Sequence, residues 1–170
     1  MLSRGLTRKH WILWIALPLV LACDWITKYA VQHLVPLYGA TPVIGGVFNL
    51  TYVKNTGAAF GLFAGDINPF RTVFFAAITI GAVGVIFLIF RRVKENAVLA
   101  PLSLAMIMAG AIGNLVDRIR WGYVIDFLDF HWHEYHWPAF NVADSAITVG
   151  VILLLIENLF LQRKRESRRT

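Results

Sequence analysis

Two stretches of this chain, Thr72–Phe90 and Ala97–Val116, contain no Asp, Glu, Lys or Arg at all. A helix needs about 20 consecutive apolar residues to cross the hydrocarbon core of a bilayer, and both stretches meet that length. Two such segments in a chain of 170 residues leave little room for a water-soluble fold. The composition agrees, at 58% hydrophobic, 15% charged and mean hydropathy +0.62, which is too apolar for a soluble domain of this size.

Two further spans complete the pattern. One runs from about residue 11 to 34 and is uncharged as far as Cys23; the other runs from about 140 to 161, with Asp144 near its start and Glu157 near its end. The expected fold is an all-α membrane protein, a four-transmembrane-helix bundle forming one domain over residues 1–170. Its spans are about 11–34, 72–90, 97–116 and 140–161, and its outer loops are about 35–71 and 117–139. The basic N-terminus resembles a signal peptide, but no small-residue cleavage site follows the apolar run, so it reads as an uncleaved first span. Cys23 is the only cysteine; no intramolecular disulfide is possible, and a small buried packing role is expected.

The formal charge of +6 suggests nucleic acid until the positions are considered. Arg4, Arg8 and Lys9 precede the first span. Arg91, Arg92 and Lys94 sit between the second and third. Arg163, Lys164, Arg165, Arg168 and Arg169 follow the fourth. These clusters hold 11 of the 16 basic residues and fall on one side of a four-span bundle, the positive-inside pattern. Both termini are therefore expected to be cytoplasmic, with no nucleic-acid role.

In the first outer loop, Phe48-Asn49-Leu50-Thr51-Tyr52 alternates apolar and polar between Gly45-Gly46 and Asn55-Thr56-Gly57, which predicts a strand in a small sheet at the outer surface. Gly57-Ala58-Ala59-Phe60-Gly61 is small and apolar and is expected to dip into the interface. The second outer loop carries His131, His133, Glu134 and His136, potential zinc ligands. They sit among Trp132, Tyr135 and Trp137 without the His-Glu-x-x-His helical spacing, so an interfacial aromatic belt is the expected reading and no metal is assigned.

Helical rise of about 1.5 Å per residue allows depth to be estimated. Asp24 lies roughly 20 Å from the inner face on the first span, and Asn114 roughly 26 Å up the third. Asp144 lies roughly 6 Å below the outer end of the fourth. With Lys28, Asp117, Arg118, Asp126 and Asn141, these polar residues share the outer third of the membrane, and only Glu157 stands apart. Ionisable groups within membrane segments are costly and mark functional candidates.

The sequence has no Gly-x-Ser-x-Gly elbow and no Gly-rich phosphate loop. What remains is a pair of acids, Asp126 in Val-Ile-Asp-Phe-Leu on the loop between the third and fourth spans, and Asp144 in Asn-Val-Ala-Asp-Ser. Either could cap a helix or pair with Arg118 or Lys28. Two carboxylates that meet in apolar surroundings share a proton, an arrangement used to activate water.

At these residues the chain resembles the lipoprotein signal peptidases (signal peptidase II), bacterial intramembrane aspartyl peptidases. The matching stretches are Asp24-x-x-x-Lys28, Asn55-Thr56-Gly57-Ala58-Ala59-Phe60, Gly110-Ala111-Ile112-Gly113-Asn114-Leu115-Val116-Asp117-Arg118, Val124-Ile125-Asp126-Phe127 and Phe140-Asn141-Val142-Ala143-Asp144-Ser145. The resemblance implies four transmembrane helices with an outer β-cradle and a short outer helix, and Asp126 and Asp144 as the catalytic dyad. It marks Asp24, Lys28, Asn55, Gly57, Asn114, Asp117, Arg118, Asn141 and Ala143 as substrate-binding or supporting positions. It implies a diacylglyceryl-modified prolipoprotein substrate cut just before the lipidated cysteine, contact with membrane lipid, and inhibition by globomycin-type peptides. It also implies the bacterial inner membrane, with the site toward the outer, periplasmic face. No cofactor is implied, and a monomer is expected because one bundle holds the whole site. Gly61-Leu62-Phe63-Ala64-Gly65-Asp66 and the His-rich loop depart from the family pattern.

General acid/base hydrolysis follows as the expected mechanism, with Arg118 expected to neutralise Asp117 and brace the third helix. Two other readings use the same residues. A proton-coupled transporter or channel would place acids at several depths, whereas these cluster at one. A non-catalytic scaffold would use the acids as structural ion pairs.

Overall fold

A computed structural model of the chain describes residues 6–57, 65 and 68–166. Four long helices, α1 (Arg8–Leu34), α2 (Pro69–Arg92), α3 (Leu99–Trp121) and α4 (Val142–Glu166), carry a small sheet at one end. Its strands are β1 (Ala40–Ile44), β2 (Phe48–Asn55), β3 (Val124–Trp132) and β4 (Tyr135–His136), in the antiparallel order β1-β2-β3-β4. Each helix is long and apolar enough to cross a membrane. No short outer helix is present among the described residues. From Ala58 onward, the stretch expected to dip into the interface lies outside the described residues.

Local chemistry fixes the helix ends. Asn68 accepts the N–H of Phe70 at 2.9 Å, and Pro69 occupies the first helical position of α2, where its missing N–H costs nothing. Gly122 ends α3 at φ 77°, a left-handed conformation that glycine adopts without strain, and its N–H returns to the Arg118 carbonyl at 2.9 Å. At the opposite end of the bundle, buried Lys9 donates to the carbonyls of Val93 at 2.7 Å and Arg91 at 3.2 Å. It thereby ties the start of α1 to the end of α2, where a cation complements the helix dipole.

α3 is the central helix, packing against α1, α2 and α4. Small residues allow the α3–α4 contact. A Cβ on Gly110 would strike the Ala143 carbonyl oxygen and lie 2.7 Å from Ile147 Cγ1, and one on Gly150 would lie 2.7 Å from Ile107 Cγ1. The outward faces carry Trp14, Ile15, Phe70, Phe87 and Leu155, all exposed from the protein interior, as suits contact with acyl chains. Cys23 lies on this outward surface, so the buried role expected for it is corrected. Small enough for either environment, it follows the helical phase of α1, whose inward positions go to Asp24, Lys28 and Val31.

Two sequence expectations shift in the second outer segment. The third helix does not stop at Val116 but continues to Trp121, so Asp117 and Arg118 are helical. Asp126 lies within the nine-residue strand β3 rather than on a loop. Strand β3 pairs with β2 through Val53↔Asp126 and Asn55↔Val124, with an irregularity between Leu50 and Val53. Its residues Val124 to Phe127 are all buried. Ile125 and Phe127 join Val31, Val35, Tyr52 and Tyr123 in the core beneath the sheet. Val124 and Asp126, on the alternate face, line a cavity.

Candidate active site

Asp126 is 2% exposed and reaches the cavity from β3. Its Oδ2 accepts the side-chain N–H of Asn55 at 2.9 Å, and its Oδ1 accepts that of Asn141 at 2.8 Å. Asn55 is opposite Val124, so it is the diagonal neighbour of Asp126 on the same sheet face. Burial, together with the negative charge of Asp144, pushes the Asp126 carboxyl up from 3.8 to about 7, against the opposing effects of Asn55, Lys28 and Asn141.

Asp144 approaches from the first turn of α4. Its Oδ1 accepts from Asn114 Nδ2 at 2.7 Å, and its Oδ2 accepts the Asn141 backbone N–H at 3.3 Å. The Asp144 backbone N–H returns to Asn141 Oδ1 at 2.8 Å. This reciprocal pair is a capping box built from Asn and Asp. Asp144 is therefore a helix-capping group and, at the same time, a wall of the cavity.

Three asparagines are held in one orientation each. The Asn55 side-chain oxygen accepts the Gly57 N–H at 2.9 Å, that of Asn141 accepts the Asp144 N–H, and that of Asn114 accepts from Lys28 Nζ at 3.2 Å. A backbone N–H and an ammonium can only donate, so each amide must turn its N–H₂ the other way. In each case that direction is a carboxylate of Asp126 or Asp144.

Behind this pair lies a buried ionic cluster. Lys28 Nζ is 2.7 Å from Asp24 Oδ2 and 2.7 Å from Asp117 Oδ2, with all three side chains at most 2% exposed. Lys28 does not pair with Asp126 or Asp144. Asp24 Oδ1 accepts the Ala143 N–H at 2.9 Å, and Asp117 Oδ2 accepts the Ile125 N–H at 3.3 Å. The expectation that Arg118 neutralises Asp117 is corrected. Adjacent helical residues do not face each other, and Arg118 instead donates to the Gly57 carbonyl at 2.9 Å and the Asn114 carbonyl at 3.3 Å, with its guanidinium 5.1 Å from the Phe75 ring centre. Fully ionised, Asp24, Asp117, Asp126 and Asp144 against Lys28 and Arg118 would carry four negative and two positive charges, a net −2.

The cavity measures about 480 Å³. Asn55, Asn114, Arg118, Asp126 and Asp144 form its polar wall, and Phe140, Ile147 and Trp137 contribute apolar surface. Trp137, expected only in an interfacial belt, and Ser145, Ile147 and Thr148 were not among the expected site residues, yet all four line the cavity. Helical spacing from Asp144 would have found Ile147 and Thr148, one turn along the same face. The predicted site residues Asp24, Lys28, Asn55, Gly57, Asn114, Asp117, Arg118, Asp126, Asn141, Ala143 and Asp144 all fall within one network of hydrogen bonds and ion pairs. Glu157 stands apart on α4, half-buried.

The His-rich loop forms a separate feature. His136 Nδ1 lies 2.8 Å from Asp129 Oδ1 and its ring stacks on His131 at 4.7 Å. Burial raises the Asp129 carboxyl, but hydrogen bonds from His136 and Asn49 outweigh it and hold the group below 3.8. Among the described residues no cluster of three or more His, Cys, Asp or Glu side chains could hold a metal ion.

The family model described as Signal peptidase (SPase) II, Peptidase_A8, matches residues 16–160. A lipoprotein signal peptidase of Geobacter sulfurreducens is 48% identical over 145 residues, covering 85% of this chain and 89% of the relative. One from Francisella tularensis subsp. novicida is 43% identical over 158 residues, covering 92% and 94%. A solved bacterial membrane enzyme, determined by the in meso method, superposes with a TM-score of 0.77 at 31% identity over 86% of this chain and 87% of that chain. Helices, cavity and paired acids thus occur in a chain that belongs to the signal peptidase II family, peptidases of the aspartic type in bacterial membranes.

Proposed function

We propose that this protein removes the signal peptide from diacylglyceryl-modified prolipoproteins, cutting just before the lipidated cysteine, with Asp126 and Asp144 as the catalytic dyad. The observation that carries this reading is the meeting of the two carboxylates at one cavity, from β3 and α4, with Asn141 bonded to both residues. A water between them would lose a proton to the ionised carboxylate as it attacks the scissile carbonyl. The protonated partner would donate to the carbonyl oxygen. As the resulting diol collapses, the carboxyl that took the water's proton would pass it to the leaving nitrogen, and the partner would recover a proton from a diol hydroxyl. The two cannot both ionise cheaply beside each other, and the net negative charge of the fully ionised core favours keeping one proton there. The pair titrates as a unit, so the proton belongs to both.

Other parts of the site suit a peptide bond under attack. Arg118 and Asn55 border the cavity with N–H donors. Phe140, Ile147 and Trp137 supply apolar surface for a substrate anchored by lipid. On this reading the protein lies in the bacterial inner membrane with both termini cytoplasmic, the cavity toward the periplasmic face, and the diacylglyceryl chains against helices and bilayer lipid. It works as a monomer and takes globomycin-type peptides in the same cavity.

The test is a gel-shift assay with purified protein in detergent and a diacylglyceryl prolipoprotein. Wild type should release the signal peptide and globomycin should block it. Asp126→Asn and Asp144→Asn should be folded and inactive; turnover by either variant at the wild-type rate would sink the dyad.

A further inference from the structure

We propose that Lys28 is the positioning residue that sets the spacing and aim of the Asp126–Asp144 pair, acting through groups it holds rather than by touching the dyad. The proposal rests on the reading of those two acids as the dyad.

An ammonium has three hydrogens, and Lys28 has three acceptors: Asp24 Oδ2 at 2.7 Å, Asp117 Oδ2 at 2.7 Å and Asn114 Oδ1 at 3.2 Å. Each of the three leads to the dyad. Asp24 holds the backbone N–H of Ala143, the residue before Asp144, at 2.9 Å. Asp117 holds the backbone N–H of Ile125, the residue before Asp126, at 3.3 Å. Asn114 donates directly to Asp144 Oδ1 at 2.7 Å. Successive Cα atoms are about 3.8 Å apart, so each clamp acts one residue from the side chain it places. A single point charge therefore joins α1, α3, the start of α4 and strand β3, and the joint fixes both backbones that carry the acids.

Neutralising two buried carboxylates would not by itself require this. A charge-balancing lysine could contact them anywhere along their length. Here both clamped amides belong to the residues that precede Asp126 and Asp144. The Ala143 N–H is among the four at a helix start that find no partner within the helix, and an anion there also complements the dipole of α4. The small residues agree with a fixed joint. Gly113 brings α3 so close that a Cβ on it would lie 2.8 Å from Asp24 Oδ2, and Ala143 is fully buried.

The test separates position from charge. Lys28→Met leaves Asp24 and Asp117 as buried, unpaired carboxylates and threatens the fold. The companion variant Lys28→Met/Asp24→Asn/Asp117→Asn removes the charges together and retains side-chain oxygens to accept the Ala143 and Ile125 N–H groups. kcat and KM are measured on the diacylglyceryl prolipoprotein in detergent, with thermal unfolding alongside. The expected result is a folded triple variant whose KM stays within about threefold of wild type while kcat falls about 100-fold, the scale of a misplacement near 1 Å. A folded triple variant with wild-type kcat would overturn the proposal, leaving Lys28 only to neutralise its neighbours. Asp126→Asn and Asp144→Asn run in parallel: their loss of turnover beside an active triple variant would remove the positioning role alone, whereas their own retained turnover would remove the dyad.

Discussion

Asn141 donates its side-chain N–H to Asp126 Oδ1 at 2.8 Å, while its own side-chain oxygen accepts the backbone N–H of Asp144 at 2.8 Å. One fully buried amide therefore serves as the cap of α4 and as the link between the two acids. Asn141→Ala should reduce stability by about 1 kcal/mol through the lost cap and lower kcat by about 10- to 100-fold through the misdirected Asp126. Asn141→Ser keeps a capping oxygen but has no amide N–H₂ to offer Asp126. It should recover the unfolding temperature and leave kcat low. Recovery of both together would show that the residue acts only as a cap.

The Asp126 carboxyl, raised from 3.8 to about 7 by burial and the neighbouring Asp144 charge, ties stability and activity to pH. Between those two values the native state holds a proton that the unfolded chain has released. Stability is greatest below 3.8 for this group and declines as pH rises through about 7. Asp126→Asn cannot ionise. Thermal unfolding of wild type and variant from pH 4 to 8 should diverge, with the variant losing less as pH rises. The wild-type kcat/KM should fall on the alkaline side with a midpoint near that of the pair, as the shared proton leaves. A stability difference between wild type and variant that does not change across this range would contradict the assignment.

Hydropathy and helical rise made the four spans and the common level of the polar residues legible, because both depend on composition along one segment. The end of α3 was hidden for the opposite reason. Asp117 and Arg118 look like the start of a loop until Lys28, from another span, is seen to hold Asp117, and until Arg118 is seen reaching Gly57 and Asn114. Pairing Arg118 with Asp117 followed adjacency in sequence, which a helix turns into divergence. Strand β3 was missed because Val124 to Phe127 is buried on both faces and lacks the plain alternation of a half-exposed strand. The flanking amides that Asp24 and Asp117 hold are backbone groups, and no residue type announces them.

Glycine substitutions offer a graded test of α3 packing. A Cβ on Gly113 would meet Asp24 Oδ2 at 2.8 Å and Ala143 Cβ at 3.4 Å, whereas one on Gly81 meets nothing within 4 Å. Gly113→Ala should cost about 1–3 kcal/mol by overpacking and should reduce turnover as well, because the displaced oxygen belongs to the Lys28 cluster. Gly81→Ala, on the outward face of α2, should leave turnover unchanged. Equal thermal shifts in the two variants would show that the α1–α3 contact is looser than the geometry states.

Asn55→Asp separates the turn from the chemistry. The Asn55 oxygen accepts the Gly57 N–H at 2.9 Å and its nitrogen donates to Asp126 Oδ2 at 2.9 Å. An aspartate keeps the first bond, since either oxygen accepts, and so preserves the turn after β2. It cannot donate to Asp126 when ionised, and it brings a further negative charge to a core already short of cations. The Asp126 carboxyl should then hold its proton still more tightly. The variant should fold with near wild-type thermal stability at low pH, with kcat reduced about 10- to 100-fold at neutral pH. The alkaline limb of kcat/KM should move to higher pH. Steady-state kinetics across that range decides it: a variant with lowered kcat and an unmoved alkaline limb would place Asn55 on the substrate rather than on Asp126.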